Sequence, residues 1–141
     1  MSEKIWHLKR CNLFQQLTPE ELTALEARCR FRQFSRGSSI YLPSDHADGV
    51  LLMASGRAKI SSFTEDGKQA ILGFIEAGEL FGELALVDHG GVREEHAEAT
   101  ENSAVLLIPA DAIHDLVVRH PHVSMEITRL FGLRRKRIER R

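Results

Sequence analysis

The run Phe81-Gly82-Glu83-Leu84-Ala85-Leu86, followed seven residues later by Arg93, combines residue types suited to holding a sugar phosphate. A helical turn that starts at a glycine offers unpaired backbone N–H groups and a partial positive charge to an anion, and Gly82 allows close approach to the backbone. Glu83 can accept hydrogen bonds from a ribose hydroxyl, while Arg93 pairs with a phosphate through its planar fork. Glu94 and Glu95 come directly after the arginine. Two carboxylates beside a phosphate site repel an anion, so the chemistry of this segment turns on how that conflict is resolved.

The elements that must position this segment read as helix, then strands, then helix. Thr18-Pro19-Glu20-Glu21 is a helix start: Thr18 as N-cap, Pro19 at the first helical position and Glu21 placed to close a capping box. Leu22, Ala24 and Leu25 share the inner face of that helix, which ends near Cys29, and Leu17 staples onto its start. A shorter helix around Ile5-Trp6-His7-Leu8 precedes it. From Arg30 to Pro109 short apolar segments alternate with turn residues: Ser38–Leu42, Gly49–Met53, Ala58–Phe63, Gln69–Ile75 and Ser103–Ile108 read as strands. Pro109-Ala110-Asp111 opens a helix that carries Ile113, Leu116 and Val117 inward, and His120-Pro121 breaks it. A last helix starts at Pro121 with Val123, Ile127, Leu130, Phe131 and Ile138 at helical spacing. The fold class is therefore mainly β with flanking helices: an antiparallel, jelly-roll-like β-roll over residues 30–108, N-terminal helices in 1–29 and C-terminal helices in 109–141, together one domain.

Composition narrows the function classes. A chain of 141 residues with 43% hydrophobic content can build a single core. Its two cysteines, Cys11 and Cys29, are too few for a disulfide framework and fit a reducing, cytoplasmic setting. No apolar run reaches the length of a membrane span and no signal peptide is evident, so no membrane partner is expected. The net charge of -1 hides an asymmetry: the last eight residues hold six Lys/Arg and one Glu, leaving a net -6 on residues 1–133. An acidic body argues against this domain being a nucleic-acid surface itself.

No nucleophile elbow, Walker-type loop or His-Glu-x-x-His helix is present, and the expectation is a non-enzyme with no catalytic residue. His89 and His96 flank the cassette loop near Asp88, Glu94 and Glu95, but their spacing matches no dedicated metal motif, and no metal is expected. His114, His120 and His122 read as surface residues around the helix break. A strand over Arg93–Ala99 would put Arg93, Glu95, Ala97 and Ala99 on the interior face and Glu94, His96 and Glu98 in solvent. In that arrangement Glu95 lies beside Arg93, which could be neutralised by Glu83, Glu94 or Glu95.

Gly37 after the first strand, the Ser55-Gly56-Arg57 turn and Gly82-Glu83-Leu84-Ala85-Leu86 with a downstream arginine resemble the cyclic-nucleotide-binding domain of the Crp/Fnr transcription regulators. The resemblance implies an effector pocket in the roll with Gly82, Glu83, Leu84, Ala85 and Arg93 as the phosphate cassette. It also implies a homodimer through the long C-terminal helix by way of Val123, Ile127, Leu130 and Phe131, and a reorientation of an attached helix-turn-helix. DNA would be met only through that module, which needs about 60 to 80 further residues. The chain is then either the sensory piece of a longer regulator or a short relative. Alternatives of other classes are a cyclic-nucleotide module of a signalling enzyme or channel, and a ligand-free interaction module with a self-neutralised pocket. Cyclic-nucleotide binders of the family carry small residues after the arginine, where this chain has Glu94, Glu95 and His96. A carboxylate at roughly 4 to 6 Å costs on the order of 1 to 4 kcal/mol against an anion, so cyclic AMP and cyclic GMP are disfavoured as ligands.

Overall fold

A computed structural model of the chain describes residues 3–86, 91 and 93–139. The N-terminal helices are α1 (Glu3–Arg10) and α2 (Pro19–Arg28), separated by a 3-10 turn at Asn12–Phe14. The strands are β1 (Arg30–Phe34), β2 (Ser39–Tyr41), β3 (Gly49–Ser55), β4 (Arg57–Phe63), β5 (Gln69–Glu76), β6 (Leu80–Phe81), β7 (His96–Ala99) and β8 (Ser103–Pro109). Two further helices follow, α3 (Ala110–Arg119) and α4 (Pro121–Glu139). Among the described residues the strands form two four-stranded antiparallel sheets, in the orders β1-β8-β3-β6 and β2-β7-β4-β5.

Strand β3 shows how one apolar run serves two cores. Val50 and Leu52 point to a cluster with Leu8, Phe14, Leu22, Ile113 and Leu116 from the helices, whereas Leu51 and Met53 point between the sheets toward Tyr41, Ile60 and Phe81. Side chains alternate across a strand, so a strand covered on both faces reads as a continuous apolar stretch. This is why β3 carries Val50-Leu51-Leu52-Met53 without a polar interruption. Ala24, expected on the inner face of α2, is exposed, because only Leu22 and Leu25 turn toward the roll.

The capping box at the start of α2 forms as its sequence predicts. The backbone N–H of Glu21 donates to Thr18 Oγ1 at 3.2 Å, and that of Thr18 donates to Glu21 Oε1 at 3.0 Å. The second oxygen of Glu21 pairs with His120 Nε2 at the junction of α3 and α4. His114, His120 and His122 are half-buried rather than surface residues: His120 folds back against α2, His122 sits edge-on to His120, and His114 Nε2 lies 3.3 Å from the carbonyl of Leu86. Hydrogen bonds from His120 and then from the Thr18 backbone hold the Glu21 carboxyl near 2, below its usual 4.5. The stabilisation from this ionised group is present above the usual carboxylate value and is lost as pH falls through the depressed one. Glu21→Gln should therefore lower the melting temperature at pH 6, with the gap to the unmodified protein closing between about pH 4.5 and pH 2. A gap that stays constant across thermal melts in that range would contradict the pairing.

Helix α4 packs on α3, on the Asn12–Phe14 turn and on β5. Val123 is fully buried in the helical core, and Ile127 and Leu130 pack against the same cluster. The expected dimer stripe is corrected at Val123: it faces its own domain, because the turn at His120-Pro121 lays the first turns of α4 back over α3. Phe131 is described by its backbone alone. No described helix is long and apolar enough to cross a membrane.

Candidate functional site

The cassette lies where β6 ends and the chain turns away from the sheet. Gly82 has a φ of +72°, a left-handed conformation that costs a side-chain-bearing residue but not glycine. Glu83–Leu86 then form a single 3-10 turn rather than the opening of a longer helix. The helix-terminus reading is thus reduced to one short turn, since Gly82 itself is not helical. Glu83 is buried at the head of this turn, Ala85 is buried behind it, and Leu84 is described by its backbone alone.

Arg93 is held from both ends. Its backbone N–H donates to the carbonyl of Asp45 at 2.6 Å and its own carbonyl accepts from Ser44 at 2.7 Å, while Ala47 donates to the carbonyl of Gly91 at 3.0 Å. These bonds stitch the segment before β7 to the loop between β2 and β3. Arg93 is 5% exposed. Its Nη1 donates to the carbonyl of Gly82 at 2.6 Å, its Nη2 donates to the carbonyl of Gly49 at 2.7 Å, and its Cζ lies 4.6 Å from the centre of the Tyr41 ring. Tyr41 in turn stacks on Phe81 with ring centres 6.2 Å apart. A methyl at Gly82 would come 3.0 Å from Nη1, so the missing side chain makes room for the arginine itself.

Burial pushes the Arg93 guanidinium below its ordinary value, and Tyr41, Glu83, Asp48 and Asp45 oppose that shift. Arginine remains a cation under such conditions. The sequence singled out Glu83, Glu94 and Glu95 as neutralising partners. Among the described residues the side-chain hydrogen bonds of Arg93 go to the two backbone carbonyls, Glu94 is exposed and Glu95 is half-buried. An oxyanion entering here meets a buried cation with one N–H of Nη1 and one of Nη2 already engaged.

The strand after Arg93 starts only at His96. Ala97 and Ala99 face the interior as the alternation requires, and Glu94 is solvated. His96 is corrected from solvent to burial: its Nε2 meets Ser39 Oγ at 2.8 Å and the Phe63 ring stacks over it at 6.0 Å, which covers the outer face of the sheet. Glu98 is half-buried, with Lys59 Nζ 3.8 Å away. Among the described residues no group of three His, Cys, Asp or Glu side chains could hold a metal ion; Asp88 and His89 lie outside them. Burial raises both Cys11 and Cys29 to about 11, so both stay thiols near neutrality and are poor nucleophiles.

A shallow cavity of about 190 Å³ opens on the outside of the cassette, lined by His46, Asp48, Ala85, Gly91 and Asp111 among others. Neither Gly82, Glu83 nor Arg93 lines it. Sequence reasoning missed Tyr41, Ser44, Asp45 and Gly49 as parts of the site. The signal for the loop was Pro43-Ser44-Asp45, a turn-forming triplet in which Ser44 takes a φ of +75°. Nothing in the sequence marked Gly49 as an acceptor, because its contribution is a backbone carbonyl.

A family profile described as the cyclic nucleotide-binding domain matches residues 31–120. The CRP-like cAMP-activated global transcriptional regulator of Mycobacterium tuberculosis is 27% identical over 130 residues, which cover 92% of this chain and 58% of that protein. The Thermus thermophilus Catabolite Activator Protein aligns with a TM-score of 0.76 at 28% identity, over 90% of this chain and 59% of that one. The sensor domain of the transcriptional regulator DNR from Pseudomonas aeruginosa reaches a TM-score of 0.81 over 95% of this chain and 90% of that one, but at 20% identity it speaks for the fold alone. This chain thus spans little more than half the length of the curated relatives it matches.

Proposed function

The chain belongs to the cyclic nucleotide-binding domain family, and from that premise we propose that it is the effector-sensing part of a Crp/Fnr-like transcription regulator, with the effector site between Gly82 and Arg93. The observation that carries this reading is the pairing of a left-handed Gly82 with a buried Arg93 whose guanidinium fills the space beside it, next to a buried Glu83. That places a cation, an acid and backbone N–H groups of a tight turn at one spot, which suits a ribose phosphate. No residue is assigned a catalytic role. In this reading the protein is cytoplasmic and acts on DNA only through an attached module. Such control is a population shift, in which the effector favours one packing of α4. The two-fold partner would meet the outward side of α4, where Met125 is exposed, and the edges of Ile127 and Leu130 that the domain's own core leaves uncovered on the other side.

Cyclic nucleotides are expected to bind weakly, and Glu94 and Glu95 set the size of the penalty. Because Glu94 is exposed, its repulsion is screened and lies at the low end of the range for close charges. Calorimetry with cyclic AMP and cyclic GMP tests this. The double change Glu94→Ser and Glu95→Ala should tighten binding about tenfold; no gain would sink the charge argument. A reading frame that continues past Arg141 into a kinase or a membrane segment, rather than a helix-turn-helix, would overturn the assignment to a transcription regulator.

A further inference from the structure

The guanidinium of Arg93 joins the two sheets of the roll at one point. Tyr41 belongs to β2 in one sheet, whereas in the other Gly49 opens β3 and Gly82 directly follows β6, the strand paired with β3. Both hydrogen bonds are short and charge-assisted, at 2.6 and 2.7 Å, and the ring of Tyr41 covers the cation at 4.6 Å. Bonds of this kind between a buried cation and backbone carbonyls stabilise more than neutral ones, and removing the cation leaves two buried acceptors without a donor. The glycine at 82 is explained by the same contact, since a Cβ there would press on Nη1 and Nη2 at 3.0 and 3.2 Å.

From this geometry we infer that Arg93 is an internal tie: in the ligand-free domain it fastens the cassette to β2 and β3, and an anionic effector has to draw the guanidinium away from the Gly49 and Gly82 carbonyls before it can bind. The inference rests on the reading of the Gly82–Arg93 segment as the effector site. It adds that the site competes with its own backbone for the arginine. Effector affinity is then lowered by the fraction of molecules in which the arginine is released, as for any ligand that selects a minor state. Ligand binding and the loosening of β2 from β3 at this point become one event.

Thermal unfolding of the ligand-free protein separates a tie from an arginine that merely waits for phosphate. Arg93→Met should lower the melting temperature by about 5 °C or more; a smaller fall overturns the tie, because a phosphate ligand that bonds to nothing in the free protein can be removed at little cost. Should Arg93→Met fail to fold, nitrogen-15 NMR of the unmodified protein decides the question. Hindered, individually resolved Arg93 Nη–H signals are expected without ligand, and a single signal averaged by exchange with water overturns the inference. Adding cyclic AMP to the same sample tests the competition: bound nucleotide with unmoved Arg93 signals refutes it. If cyclic AMP does not bind at all, it is ruled out as the effector of the proposed site, while the ligand-free melt and spectrum still judge the tie by themselves.

Discussion

Phe81→Ala should destabilise the domain by about 3–5 kcal/mol, the range for deleting a fully buried phenylalanine from a packed core. Phe81 is 0% exposed, pairs with Leu51 across β6 and β3, and carries the stack under Tyr41. The strand that holds it is only two residues long, so few backbone bonds keep it in place once the ring is gone. The loss spreads to the site because Tyr41 loses its support and Gly82 is the next residue. Urea denaturation monitored by far-UV circular dichroism gives the measurement. A loss below about 1.5 kcal/mol would mean that the neighbouring side chains collapse into the space, which the close packing of protein interiors disfavours.

Gly49→Ala should cost about 3 kcal/mol, the upper part of the range for overpacking a filled interior. An added Cβ would stand 2.3 Å from the carbonyl oxygen of Ile108 and 3.1 Å from the Cα of Pro109. Both are backbone atoms of the paired strand β8, so no side-chain rotation relieves the contact; β3 has to move away from β8. The same displacement shifts the Gly49 carbonyl that accepts from Arg93. Chemical denaturation should show the lower stability, and the Arg93 Nη–H signals should broaden. An alanine tolerated without loss would show that β3 and β8 lie farther apart here than described.

These two positions were differently legible in the sequence. Phe81 stands at the head of the run that the sequence singles out. Gly49 read only as the opening of a strand, since the close approach of β8 depends on a register that joins Gly49 to Pro109, far apart along the chain. The same distinction runs through the histidines. Local spacing put His96 on the outer face of β7, and it is there, yet Phe63 and Ser39 come from other strands to cover it. His120 lies at the helix break as its neighbour Pro121 requires, but its bond to Glu21 joins residues 99 positions apart.

By itself the sequence determined the order of N-terminal helices, β-roll and C-terminal helices, the capping box at Thr18 and the continuous apolar run of β3, though not the short strands β1 and β6. All of these follow from nearest neighbours along the chain: propensity, alternation, and the glycine and proline positions that punctuate them. Only the tertiary structure decided what Arg93 touches, that Val123 belongs to its own core, and that His96 is covered. Long-range contacts settle such matters, because a backbone carbonyl has no residue type to read and burial depends on what the rest of the chain lays over a side chain. The arginine that composition and spacing marked as a phosphate ligand is, in the folded domain, bonded first to the protein's own main chain.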